Sequence, residues 1–269
     1  MRDEELLARY RRAQRRRRWS VTAAQAALLA GFLALWELAA ARYWVNPMLT
    51  SRPSAVWRTL LDLTASGSLW RHVGVTLQET LAGFAVGMAL GMAVAVALWW
   101  WPALAAVLDP YLVVLNALPK IALGPIFYIW LGHQWSVYGM AVAISVIVTI
   151  VMLHAGFGEV EQNQILVMRT FGATRAQILQ KVVIPASLPT LMAALKVNIG
   201  LTLVGVIVGE FLSARAGLGY LIIYGGQVFQ MQLVMTSVVI LALISAVLYL
   251  AVTWAERLVA RLLHLPTRS

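Results

Sequence analysis

The 269-residue sequence has no cysteine, only three lysines and four histidines, and 12% charged residues. Each shortage excludes a class of chemistry. Without cysteine there is no disulfide and no thiolate metal site. A phosphate-cradling P-loop needs Gly-Lys followed by Ser or Thr, whereas Lys120, Lys181 and Lys196 follow Pro, Gln and Leu. ATP binding by that route is excluded. His72, His133, His154 and His264 are scattered, and no grouping of His, Asp, Glu or Ser suggests catalysis. The expectation is a chain that is not an enzyme and carries no metal or cofactor.

The shortage of charge is the most informative. A soluble domain carries about a quarter charged residues, but here 61% are hydrophobic and the mean hydropathy is +0.79. The apolar residues gather in blocks of about twenty, the length a helix needs to cross the hydrocarbon layer. The chain therefore reads as an all-α, polytopic membrane protein with about six transmembrane helices. A net charge of +10 could suggest nucleic acid, yet eight of the 21 basic residues lie in the first 18 positions, directly before an apolar run. That is a cytoplasmic flank under the positive-inside bias. Nothing elsewhere has the basic, aromatic-interleaved surface of a nucleic-acid binder. The apolar run, about 19–41, is longer than the hydrophobic region of a signal peptide and is read as an uncleaved first span.

Along the chain, a basic cytoplasmic tail (1–19) precedes the first span and an outer segment (20–69), where 55–63 suits a short surface helix. The second span, about 76–100, carries Gly83, Gly87 and Gly91 at four-residue spacing, a smooth stripe for close helix approach. Trp99-Trp100-Trp101-Pro102 closes it at an interface. The third stretch, about 104–131, must bend or split at Pro110, Pro119, Gly124 and Pro125. Irregular backbone at membrane depth survives only inside protein or beside a wet cavity. Further spans are expected at about 135–156, 190–213 and 232–254. With the amino terminus inside, 157–189 and a C-terminal tail (257–269) are cytoplasmic. Arg42, Arg52, Arg58, Arg71 and Arg215 then fall outside, Lys120 within a span and the other basic residues inside.

The longest polar stretch between spans, 157–189, reads as helix, tight turn, helix. Gly172 suits the left-handed residue that ends a helix. Thr174 with Gln177 fits a capping box that begins the next, and Pro185 is expected to stop that second helix. Spans on both sides leave no room for a DNA-reading domain.

This loop resembles the EAA loop of bacterial ABC importer permeases, with Gly172, Val182, Ile184 and Pro185 at the matching positions; Leu166-Val167-Met168 replace the usual acid-Ala-Ala. The stretches 76–84, 117–125 and 209–219, with Gly209-Glu210-Phe211 and Gly217-Leu218-Gly219, resemble the branch associated with nitrate, sulfonate and taurine. The resemblance covers about 70–256. It implies a type I ABC importer (MetI-like) permease fold in the inner membrane, with both termini cytoplasmic. It also implies a second permease protomer (a homodimer), two cytoplasmic ABC ATPases that supply the energy, and an extracytoplasmic solute-binding protein. The solute would be a small anion such as nitrate, a sulfonate or taurine. A vitamin precursor of pyrimidine/thiamine or riboflavin type is the alternative, and a secondary transporter the rival class, though no internal repeat of spans is evident.

On that reading Arg169, Thr170, Phe171, Gly172, Ala173, Thr174, Arg175 and Pro185 form the ATPase-coupling loop. Arg169, Arg175 and Lys181 either meet acidic groups on the ATPase or simply anchor the inner side. Asn116, Lys120, Asn198 and Glu210 are candidates for the solute pathway. Lys120 has two readings: a cation lining the pathway, or an ammonium bonded to carbonyls that the proline breaks release. Glu210 divides between a gate and an ion pair at a helix end, and Asn116 and Asn198 between cavity lining and interhelical hydrogen bonding.

Overall fold

The computed structural model describes residues 2–262, all of whose regular elements are helical. The helices are α1 (Arg2–Ala41), α2 (Pro47–Thr50), α3 (Pro53–Ala65), α4 (Ser68–Trp100), α5 (Pro102–Ala117), α6 (Gly124–Gly158), α7 (Gln162–Thr170), α8 (Arg175–Ile178), α9 (Ile184–Ala186), α10 (Leu188–Ser213), α11 (Leu218–Gln227) and α12 (Met231–Leu262). Among the described residues, five stretches are long and apolar enough to cross a membrane: Gln14–Ala41, Ser68–Trp100, Lys120–Gly158, Leu188–Ser213 and Met231–Arg261.

α6 is the central helix, packed against α4 on one side and α10 on the other. The glycine stripe explains how α4 gets so close. A Cβ at Gly83, Gly87 or Gly91 would lie 2.6, 2.6 or 2.4 Å from the Cβ of Ala141, Ser145 or Thr149 respectively. The small residues of α6 recur at the same four-residue spacing, so two smooth ridges mate along two turns. On the other side, a Cβ at Gly205 or Gly209 would meet the Cα of Ala141 or Val137 at 2.9 or 2.7 Å.

The polarity of the bundle follows from contacts at its two ends. At one end, Arg175 reaches the carbonyl of Trp99, Ser187 donates to the carbonyl of Gly156, and Lys196 pairs with Glu256. At the other, His72 meets Gly217, and Ser136 donates to Ser213. Trp101 and Phe157 thus lie at the same end, while Ser136 lies at the far one. Residues 102–131 must therefore climb the full height of the bundle before α6 returns. They do so in pieces. α5 ends at Ala117, Leu118 and Pro119 are extended, a 3-10 turn spans Lys120–Leu123, and Gly132 breaks α6 with φ 74° and ψ 177°. This broken ascent is the sixth crossing, and it has the split that its prolines demand.

The basic tail and the first span form one helix, α1, of 40 residues; at 1.5 Å per residue it measures about 60 Å, twice the hydrocarbon thickness. Before α12 the chain forms the short helix α11. One sequence expectation needs correction: Pro185 does not stop its helix. Residues 179–183 form a π turn in which the Ile184 amide bonds the Leu179 carbonyl, and the helix continues to Ala186. A proline ring normally collides with the carbonyl four residues back; the wider π turn relieves that crowding, and the break comes at Ser187.

Candidate functional site

The 159–187 segment juts from the Trp100 end of the bundle. α7 closes with a Schellman arrangement, in which Ala173 N–H bonds Met168 O at 3.0 Å and Gly172 N–H bonds Arg169 O at 2.9 Å. Gly172 has φ 75°, and nothing lies within 4 Å of where its Cβ would be, so backbone conformation alone selects glycine here. Thr174 starts α8 with both halves of the capping box: Gln177 N–H to Thr174 Oγ1 at 3.3 Å and Thr174 N–H to Gln177 Oε1 at 2.8 Å. Two helices thus meet at a turn whose backbone groups are internally satisfied, giving a stiff knob.

The knob has two faces. Ile165, Ile178, Leu179 and Val183 are buried against Leu153, Phe157 and Ala194 of α6 and α10. Leu166, Val167 and Phe171 point outward, with Phe171 83% exposed. Leu166 and Val167 occupy two of the three positions where the EAA pattern has its acid and alanines, so the outward surface is apolar where an acid would be expected. Thr170 is exposed and bonds its own helix at Val167 O, and Ala173 packs on the inner apolar cluster. Arg175 is exposed but leans back on the end of α4: its Nη2 donates to Trp99 O at 3.0 Å, and its guanidinium lies 5.3 and 5.8 Å from the ring centres of Trp99 and Trp100. Between knob and bundle lies a cavity of about 630 Å³ bordered by Trp99, Phe157, Arg169 and Arg175, and by Asp109 and His154, whose Oδ1 and Nε2 are 3.6 Å apart.

The pathway candidates are not brought together. Lys120 Nζ donates to the Asn116 carbonyl at 3.0 Å, the group whose helical partner is lost at the Leu118–Pro119 break. This contact matches the structural reading of Lys120. Asn116 is exposed on α5. Asn198 is fully buried; its Nδ2 donates to Ala194 O at 3.0 Å and its Oδ1 has no hydrogen-bond partner among the described residues. Its contact is within its own helix, and neither an open lining nor an interhelical bond is seen.

Glu210 lies at the other end and is 1% exposed. Its partners are hydrogen-bond donors in place of the expected cation, and the Glu79 carboxyl lies against it. Thr76 Oγ1 donates to Oε1 at 2.7 Å and the Gly219 N–H to Oε2 at 2.5 Å. Leu218 N–H bonds Thr76 Oγ1 at 2.9 Å, and Gly217 N–H bonds His72 Nδ1 at 3.0 Å. The first amides of α11, which no helix satisfies for itself, are all met by side chains of α4 and α10. Both glycines are required: a Cβ at Gly217 (φ 112°) or Gly219 would lie 2.3 or 2.8 Å from the Glu210 carboxyl. The roles of His72 and Thr76 were missed in the sequence, because their partners lie more than 130 positions away; only the Gly-Leu-Gly spacing hinted at a crowded turn.

The chain matches the family described as "binding-protein-dependent transport system inner membrane component" over residues 85–264. A putative aliphatic sulfonates transport permease protein of Escherichia coli is 27% identical over 90% of this chain and 92% of its own length. A formylaminopyrimidine transport permease protein of Halalkalibacterium halodurans is 29% identical over 70% of this chain and 75% of its own. Among solved structures, an inward-facing MetNI methionine ABC transporter superposes with a TM-score of 0.61 at 21% identity, covering 68% of this chain and 92% of that one. That similarity is one of fold.

Proposed function

This chain belongs to the binding-protein-dependent transport inner-membrane family and is an ABC importer permease, and on that premise we propose that it forms half of a pathway for a small anionic solute, a sulfonate by preference. The relative named for aliphatic sulfonates supports the solute class, since the resemblance extends over nearly the whole chain. The relative named for formylaminopyrimidine keeps a second reading open, in which a neutral vitamin precursor is carried by the same architecture. Energy comes from two partner ATPases docked on the knob, solute arrives from a binding protein at the opposite face, and the knob end, with both termini, faces the cytoplasm.

The observation that carries this reading is the knob itself. A two-helix element closed by a left-handed glycine, gripped from inside by an apolar cluster and bare at Leu166, Val167 and Phe171, is built to be grasped by another protein. The second protomer is supported by the broken ascent. Val107, Val113, Ile129 and Trp130 are each more than 60% exposed there, and irregular backbone at membrane depth needs protein or a wet path beside it.

The test is Gly172→Val, scored by uptake of a radiolabelled alkanesulfonate into cells lacking their own copy. A β-branched residue at positive φ deforms the turn, so uptake should fall to near background while the chain still inserts. Uptake at the wild-type rate with full assembly would refute docking at the knob.

A further inference from the structure

We infer that Arg175 is a positioning residue that ties the knob to α4, so that displacement of the knob is passed to that helix. This rests on the knob being the ATPase-coupling element. It departs from the expectation that Arg175 either reaches for acidic groups on the ATPase or acts as a simple charge anchor.

The knob is held against α4, α6 and α10 by one apolar cluster, to which α4 contributes Ala95, and such packing is non-directional. Arg175 supplies a directional tie to α4. The Trp99 carbonyl is among the last four of α4, which have no partner within a helix. A cation there is favoured by the dipole, and the guanidinium meets the carbonyl at 3.0 Å while covering the rings of Trp99 and Trp100. A planar fork can satisfy both contacts at once; a lysine ammonium cannot. The base of the tie is also fixed, because Arg175 directly follows the capping residue Thr174.

α4 is the element able to carry such a displacement onward. Its middle is locked to α6 by the three glycines. Its far end holds the start of α11 through His72 and Thr76. One helix therefore joins the knob to the polar latch at the opposite face.

The test uses the complex purified with its ATPase and reconstituted in proteoliposomes. It follows ATP hydrolysis, import of radiolabelled ethanesulfonate and, by native mass spectrometry, retained ATPase. Arg175→Gln should lower solute imported per ATP about tenfold, the size of one lost charge-assisted hydrogen bond, with both ATPases still bound. Arg175→Lys should lose about threefold. Replacing Trp99 and Trp100 together by Leu should also lose about threefold, and should add nothing to Arg175→Gln. An unchanged ratio for Arg175→Gln would overturn the inference, as would losses that add. Loss of ATPase from the Arg175→Gln complex would overturn it too, placing Arg175 in the docking face. Failure of the underlying reading has a different signature, namely Gly172→Val complexes that keep both their ATPase and their coupling ratio. Melting temperatures of the variants separate a lost tie from a lost fold.

Discussion

Glu210 is a buried carboxyl set against the start of a helix. A carboxyl 1% exposed in a membrane helix invites a gate assignment by default, yet Thr76 and the Gly219 amide occupy both its oxygens. Glu210→Ala would strip buried donors of their acceptor at about 1–3 kcal/mol each. The melting temperature in detergent should fall by several degrees, and Glu210→Gln, which keeps one acceptor oxygen, should fall less. An unchanged melting temperature for Glu210→Ala would remove the latch from the account. Lys120 is a different case. Its ammonium bonds the Asn116 carbonyl, so we expect Lys120→Met to lower stability; whether it also lowers uptake is the separate question of a pathway charge. If Lys120→Met retains wild-type uptake of an identified anion, Lys120 serves the break alone.

At the scale of elements, close packing of α4 on α6 is the feature most exposed to mutation. Gly87→Leu would drive a side chain into Ser145, whose Cβ lies 2.6 Å from even the first added atom. Overpacking of this kind costs about 1–3 kcal/mol and often more. The expected outcome is poor accumulation of inserted protein, measured as folded yield in mild detergent; normal yield would mean the helices are free to separate. The knob offers a graded series. Asn tolerates the left-handed conformation better than Val, so Gly172→Asn should keep a substantial share of uptake where Gly172→Val keeps almost none.

Much of this was legible in the sequence because the physics was local. The stripe of Gly83, Gly87 and Gly91, the Thr174–Gln177 box, the positive φ at Gly172 and the split after Ala117 each depend on residues within a few turns. What could not be read was set by distant partners. The start of α11 depends on side chains of α4 and α10, and the contact of Arg175 with α4 depends on Trp99, 76 positions earlier. Pro185 was misread because a π turn, which has no distinctive residue pattern, absorbs it.

Across the whole molecule, the broken ascent packs on α4 and α6 through Ala105, Leu108 and Leu112 but leaves Val107, Val113, Ile129 and Trp130 exposed, and the knob is bare at its tip. These are the two surfaces that our proposal gives to a second copy and to an ATPase. The two relatives are named for different solutes while matching this chain over 90% and 70% of its length, which fits our proposal that a separate binding protein selects the solute. Calorimetry of that protein against alkanesulfonates and pyrimidines should show tight binding to one class alone. The most direct test of the central claim is the native mass of the complex purified through a tag on this chain. Two copies of the 29.5 kDa chain with two ATPases are expected. A single copy with two ATPases, or the chain alone under conditions that preserve transport, would contradict it.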